Sequence, residues 1–92
     1  MVAAITLPDK YSAEYLDYVL DWSARLDDET LVSVVVSVLD EDSVLVDQVS
    51  HDDTKVVFWL AGGYPGRRSR IECVVATTAG RIMEQELVIR VA

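Results

Sequence analysis

Thr30 to Leu39 reads TLVSVVVSVL, and the fold follows from how that decapeptide is read. Valine stands at every second position, at Val32, Val34, Val36 and Val38, while Leu31, Ser33, Val35, Ser37 and Leu39 take the alternate ones. A period of two belongs to a β-strand, whose successive side chains point to opposite faces. Valine also loses rotamer freedom in a helix and packs well on a pleated surface. The Val32, Val34, Val36 and Val38 face is therefore predicted to be core and the other face mixed. Asp40, Glu41 and Asp42 follow at once. A strand cannot easily bury three acids, so a tight, solvated turn is expected there.

Toward the C-terminus the same grammar repeats at about 10-residue spacing, the pattern of an all-β sandwich. Val44 to Val49 reads as a short strand, interrupted by Asp47 and Gln48 in the way an edge strand carries charge against unwanted pairing, and closed by His51, Asp52 and Asp53. Lys55 to Leu60 (KVVFWL) is a continuous apolar run, consistent with a central strand buried on much of both faces. Gly62-Gly63-Tyr64-Pro65-Gly66 then breaks the chain into a loop, with Arg67, Arg68 and Arg70 behind it. In Ile71 to Thr77, Ile71, Cys73 and Val75 face inward, against Glu72 and Val74 outside. Ile82 to Val91 alternates Leu87, Ile89 and Val91 against Glu86, Val88 and Arg90. Thr78-Ala79-Gly80 between them makes these two strands a hairpin.

Toward the N-terminus the signal is divided. Ser12 to Leu26 fits a helix with Ser12 as N-cap and Tyr15, Val19, Trp22 and Leu26 as its stripe. It equally fits a strand with Leu16, Tyr18, Leu20 and Trp22 inward and Asp17, Val19 and Asp21 outward. The strand, over Tyr15 to Ser23, is favoured because the other strands are clear. With Val2 to Thr6 the total is about seven antiparallel strands, an immunoglobulin-like β-sandwich forming a single domain over residues 1–92.

The chain has 92 residues, too few for a second core at the usual about 100–200 residues per domain. It is 51% hydrophobic with a mean hydropathy of +0.23, which argues against disorder. A domain this small buries only about 60–65% of its unfolded surface, so a partner or further copies are expected to complete the burial. Sixteen acids against eight bases give a net charge of −8, which opposes binding to nucleic acid or to an anionic membrane. The charge is uneven: residues 1–53 hold thirteen acids and two bases, residues 54–92 three acids and six bases. Cys73 is the only cysteine, which excludes an internal disulfide. Val2 to Leu7 is too short for a signal segment, and no run approaches the about 20 apolar residues of a membrane span, so synthesis in the cytoplasm is expected.

Sites of chemistry are scarce. The glycine loop lacks the spacing and the following helix of a phosphate loop. His51 beside Asp52 and Asp53 cannot supply the four ligands of a structural zinc, so a solvated turn is expected. The acidic clusters Asp27 to Glu29, Asp40 to Asp42 and Asp52 to Asp53 would need to meet at one end to hold Ca²⁺, and they lack EF-hand spacing. Cys73 faces inward as a small apolar residue, with His51 the only histidine able to act as its base. No catalytic residue, metal site or cofactor is assigned. Tyr64, Arg67, Arg68 and Arg70 form the only basic patch and are the candidate protein-interface residues, suited to a carboxylate-rich partner surface. Trp22 and Trp59 are candidate interface anchors, but in a 92-residue sandwich they read more readily as large core residues.

Three segments carry a family resemblance: Leu16 to Leu31 (LDYVLDWSARLDDETL), Val57 to Gly63 (VFWLAGG) and Thr77 to Arg81 (TTAGR). Their order and spacing, over roughly residues 8 to 91, resemble the fiber-tail adaptor family of small tailed-bacteriophage virion proteins. Such proteins show an aspartate-tyrosine start, an aspartate-tryptophan-serine, a leucine before an acidic-threonine step, a strand ending in glycine-glycine, and a threonine-rich turn closing on glycine-arginine. The chain departs from that pattern in its acid-rich Asp40 to Asp42 and Asp52 to Asp53 stretches and in its basic Arg67 to Arg70 loop.

The resemblance implies an immunoglobulin-like, non-enzymatic structural protein of the virion, located at the head-tail neck or the tail. Its partners would be other virion proteins (neck, tail or fiber subunits), with several copies per particle, no nucleic acid and no membrane, and synthesis in the host cytoplasm. Two other functions share the fold: a capsid decoration protein, and an independent immunoglobulin-like ligand-binding module. An enzyme would need a nucleophile, a base and an orienting group together, and no such set is visible.

Overall fold

The computed structural model describes residues 4–40 and 43–92. The strands are β1 (Ile5–Thr6), β2 (Leu16–Asp21), β3 (Leu31–Val38), β4 (Val44–His51), β5 (Lys55–Gly62), β6 (Arg68–Thr77) and β7 (Ile82–Arg90), with a short 3₁₀ turn at Ser23–Arg25. They form two sheets, of order β1-β7-β6-β3 and β2-β5-β4. Lettered A to G, this is the seven-strand ABED and CFG division of an immunoglobulin-type sandwich with the first strand moved beside the last. The all-β, two-sheet architecture expected from the alternating runs is the one observed. One feature departs from an all-antiparallel arrangement: β1 runs parallel to β7, with Ile5 opposite Leu87 and Thr6 opposite Val88. Of the expected Val2 to Thr6 strand, Val2 and Ala3 lie outside the described residues, as do Glu41 and Asp42 of the expected acidic turn.

The core lies between the sheets, where alternate residues of the inner faces meet. Tyr18, Leu20, Trp22, Val56, Phe58 and Leu60 come from one side, and Ile71, Cys73, Val75, Leu87, Ile89 and Val91 from the other. The divided segment is a strand. Tyr18 and Leu20 are buried as that assignment requires, with Asp17, Val19 and Asp21 outside. It ends two residues earlier than expected, because the Asp21 carboxylate accepts the Ser23 N–H at 2.9 Å and starts the 3₁₀ turn. Trp22 at this corner is sealed into the core and its backbone N–H donates to the Thr54 carbonyl at 2.8 Å.

Four further details correct the expectations. A register shift between Leu31 and Ser33 puts Leu31 in the core and leaves Val32 exposed, so only Val34, Val36 and Val38 of the valine face pack against the core. β4 is an edge strand as expected, but it extends through His51, which pairs with Val56, and the turn begins at Asp52. β6 begins at Arg68, so Arg68 and Arg70 stand on a strand and not in the loop. Trp59 is not a core residue: Val56, Phe58 and Leu60 take the inner positions of β5, which puts Trp59 on the outer face.

Candidate functional site

The loop after β5 turns on glycine. Gly62, Gly63 and Gly66 all have positive φ, and at Gly63 a β-carbon would stand 2.6 Å from Val91 Cγ2 and 3.0 Å from Val44 Cγ1. The loop is tied to the end of β7: the Gly66 N–H donates to the Val91 carbonyl at 2.7 Å and the Val91 N–H to the Arg67 carbonyl at 2.9 Å. β6 follows directly, so the loop offers no helix N-terminus to a phosphate. Tyr64 is exposed at the tip, and the Arg67 guanidinium lies over its ring at 5.7 Å.

The four candidate interface residues have different fates. Arg68 stands directly opposite Arg90, a like-charge pair that the sheet tolerates at some cost. Arg90 is 3.8 Å from Asp9. Arg70 is already engaged: its Nη2 and Nε donate to Asp40 Oδ1 at 3.0 and 3.2 Å, and its backbone N–H donates to Asp40 Oδ2 at 2.6 Å. These bonds hold the Asp40 carboxyl below its usual range. Among the described residues, then, Tyr64, Arg67 and Arg68 remain as an accessible aromatic and basic edge, while Arg70 is committed to the fold. Beside this edge runs an open groove of about 700 Å³ that includes Val38, Asp40, Val44, Val46 and Tyr64 in its lining.

The acidic clusters do not converge. The Leu31 N–H donates to the Asp53 carbonyl, which puts Asp27 to Glu29 and Asp52 to Asp53 at one end of the sandwich. Asp40 pairs with Arg70 where β3 ends, at the other. The acids also have local work. Glu29 accepts from Thr77 Oγ1 and from Arg81 Nε, and Asp52 Oδ1 accepts the N–H groups of Thr54 and Lys55 at 2.9 and 2.8 Å. Both carboxyls are held below their usual range, Glu29 first by Thr77 and Asp52 first by the Thr54 N–H. Among the described residues no group of three acids, histidines or cysteines is arranged to hold a metal ion. Cys73 is fully buried, and burial pushes its thiol up to about 11. His51 lies exposed on β4 in the opposite sheet, so the two are not brought together.

Two arrangements had no sequence signal. Lys10 is completely buried, and its ammonium donates to the carbonyl oxygens of Gly62, Tyr11 and Ser12 at 2.6, 2.9 and 3.4 Å. Burial lowers its pKa, opposed by the charge of Glu14. A lysine after Pro8 and Asp9 looks like any solvated turn residue, and only the long-range approach of Gly62 reveals its place. Tyr15 stacks on Trp59 with ring centroids 4.8 Å apart, its hydroxyl donating to Asp47 Oδ2 at 2.6 Å and accepting from Gln48 Nε2 at 3.0 Å. Aromatic residues 44 positions apart in the chain announce no such pairing.

Compared with known protein families, residues 10–90 match the model of the podophage GP4 fiber-tail adaptor protein gp77 family. No curated protein matches the chain. With nearly the whole sequence covered, the chain belongs to this family of structural phage adaptors.

Proposed function

We propose that this chain is a non-enzymatic adaptor built into the tail or the head-tail neck of a podophage particle, where several copies join fiber subunits to the tail body. The observation that carries the proposal is the family match over residues 10–90. The fold supports it physically. Two packed sheets hold the outward strands and loops rigid, and a rigid surface loses less entropy on docking than a mobile one. Tyr64, Arg67 and Arg68 form one docking edge, suited to an acidic surface of a neighbouring subunit.

A net charge of −8 favours protein partners over nucleic acid. The same net charge repels acidic headgroups and disfavours a membrane surface. Synthesis takes place in the host cytoplasm, ahead of assembly.

The test is to purify particles from an infected culture, identify the chain by peptide mass spectrometry, and locate it by antibody labelling in the electron microscope. Label at the neck or tail is the expected result. Label over the whole shell would make it a capsid decoration protein instead, and absence from particles would favour an independent ligand-binding module.

A further inference from the structure

On the outer face of the β2-β5-β4 sheet the residues pointing away from the core are not those of an ordinary solvated surface. Val19 stands directly opposite Val57, and Leu45 opposite Ala61. Between these pairs lies Trp59, roofed by Tyr15, whose side chain starts ahead of β2 and reaches over the central strand to Asp47 and Gln48 on β4. Val19 and Leu45 are 56% and 67% exposed, and Tyr15 is 42% exposed despite its stack and two hydrogen bonds. The centre of the face is therefore aromatic and aliphatic, with Tyr15, Val19 and Leu45 open to solvent over half-buried Val57 and Trp59. Asp17, Asp21 and Asp47 stand around it, against one base, Lys55, opposite Asp21.

This combination has the physical character of a binding hot spot. Tryptophan and tyrosine dominate such centres because they offer much contact area for few rotatable bonds. Both hydrogen-bonding functions of the Tyr15 hydroxyl are satisfied within the chain, so docking need not desolvate an unpaired phenol or freeze a free ring. The acidic rim selects the occupant. It repels phosphate, which disfavours nucleic acid, and two molecules of net charge −8 repel each other, which disfavours a second copy.

Resting on the adaptor function proposed above, we infer that the outer face of β2-β5-β4 is the docking surface for a different virion protein, one that presents an aliphatic patch ringed by arginine or lysine. The Tyr15–Trp59 stack is the anchor, and Asp17, Asp21 and Asp47 set the register. Arg68 of the basic edge stands on the opposite sheet from this surface, so the two proposed docking regions differ in sign. Such a pair is what a connector between unlike neighbours needs.

The test is complementation. Host cells expressing the full chain or a variant are infected with phage whose own copy of the gene is interrupted, and the copies per purified particle are counted by quantitative mass spectrometry. Val19→Arg and Asp17→Lys change exposed residues only, and with unchanged melting temperature each is expected to cut incorporation about tenfold or more. Tyr15→Phe keeps the ring and removes both hydrogen bonds, and is expected to give a smaller loss. Wild-type incorporation equalled by Val19→Arg and Asp17→Lys would overturn the assignment of this face and leave the adaptor function standing. Failure of the wild type itself to enter particles would overturn both. Wild-type oligomers in the ultracentrifuge that become monomers on Val19→Arg would show the face to be a contact between copies, and so overturn the choice of a basic partner.

Discussion

The ammonium of Lys10 donates to the Gly62 carbonyl oxygen at 2.6 Å, joining the segment after β1 to the far end of β5 in the opposite sheet. With the Tyr11 and Ser12 carbonyls it forms a small cage in which backbone dipoles, aided by the charge of Glu14, offset the cost of burying a cation. Lys10→Met keeps the unbranched stem as far as Cε and strips these oxygens of their shared donor. The expected loss is about 1–3 kcal/mol of stability, seen as a lower urea midpoint with an unchanged slope. An unchanged midpoint would mean that water takes over all three carbonyls.

Gly63 and Gly66 both have positive φ, at 102° and 85°, and differ in what surrounds them. Gly66→Ala meets open space and is expected to cost only the backbone term of about 1–2 kcal/mol. Gly63→Ala adds a collision with Val91 and Val44 and is expected to cost about 1–3 kcal/mol more. Thermal melts of the two variants side by side check the order; equal losses would show that Val91 and Val44 both give way freely.

Burial of Cys73 raises its thiol from 9.0 to about 11. The unfolded chain therefore releases this proton first as pH rises, and the stability that Cys73 contributes below pH 9 is lost progressively toward pH 11, by about 2–3 kcal/mol. The raised phenol of buried Tyr18 acts in the same direction. Cys73→Ala is expected to be less stable at neutral pH, yet to show a shallower fall over this alkaline range in urea titrations. Parallel curves for the two proteins would contradict the assignment.

Arg67→Glu with Arg68→Glu reverses the basic edge without touching the core. Arg68 faces Arg90, so its reversal removes a repulsion and the melting temperature is expected to hold or rise slightly. Incorporation into particles is expected to drop when counted by mass spectrometry. A large loss of stability with normal incorporation would remove this edge from the assembly surface.

The strands were legible in the sequence because period-two runs such as Val34, Val36 and Val38, or Leu87, Ile89 and Val91, record burial residue by residue. The β6–β7 hairpin was legible for the same reason, since its turn chemistry is local. What escaped depends on partners far away in the chain. The bulge that exposes Val32 is set by where β3 meets β6, and the parallel placing of β1 by a pairing with residues more than 80 positions on. The basic candidate patch was legible only in composition. Asp40 withdraws Arg70 from it, and that ion pair bridges 30 residues. The Tyr15–Trp59 platform was invisible, because KVVFWL gives no sign of which aromatic faces out until the register with β2 is known.

The parallel placing of β1 beside β7 has a mechanical consequence. Beyond the two residues of β1 itself, Leu7 donates to Val88, Lys10 to Arg90, and Ala92 to Lys10, all along one seam. Tension that draws β1 and β7 past each other along their common direction loads these bonds in shear, so that they share the force and must yield together. Tension applied across the seam would instead peel them apart in sequence, at far lower load. The domain is thus strongest when pulled lengthwise, with the start of β1 and the end of β7 drawn apart.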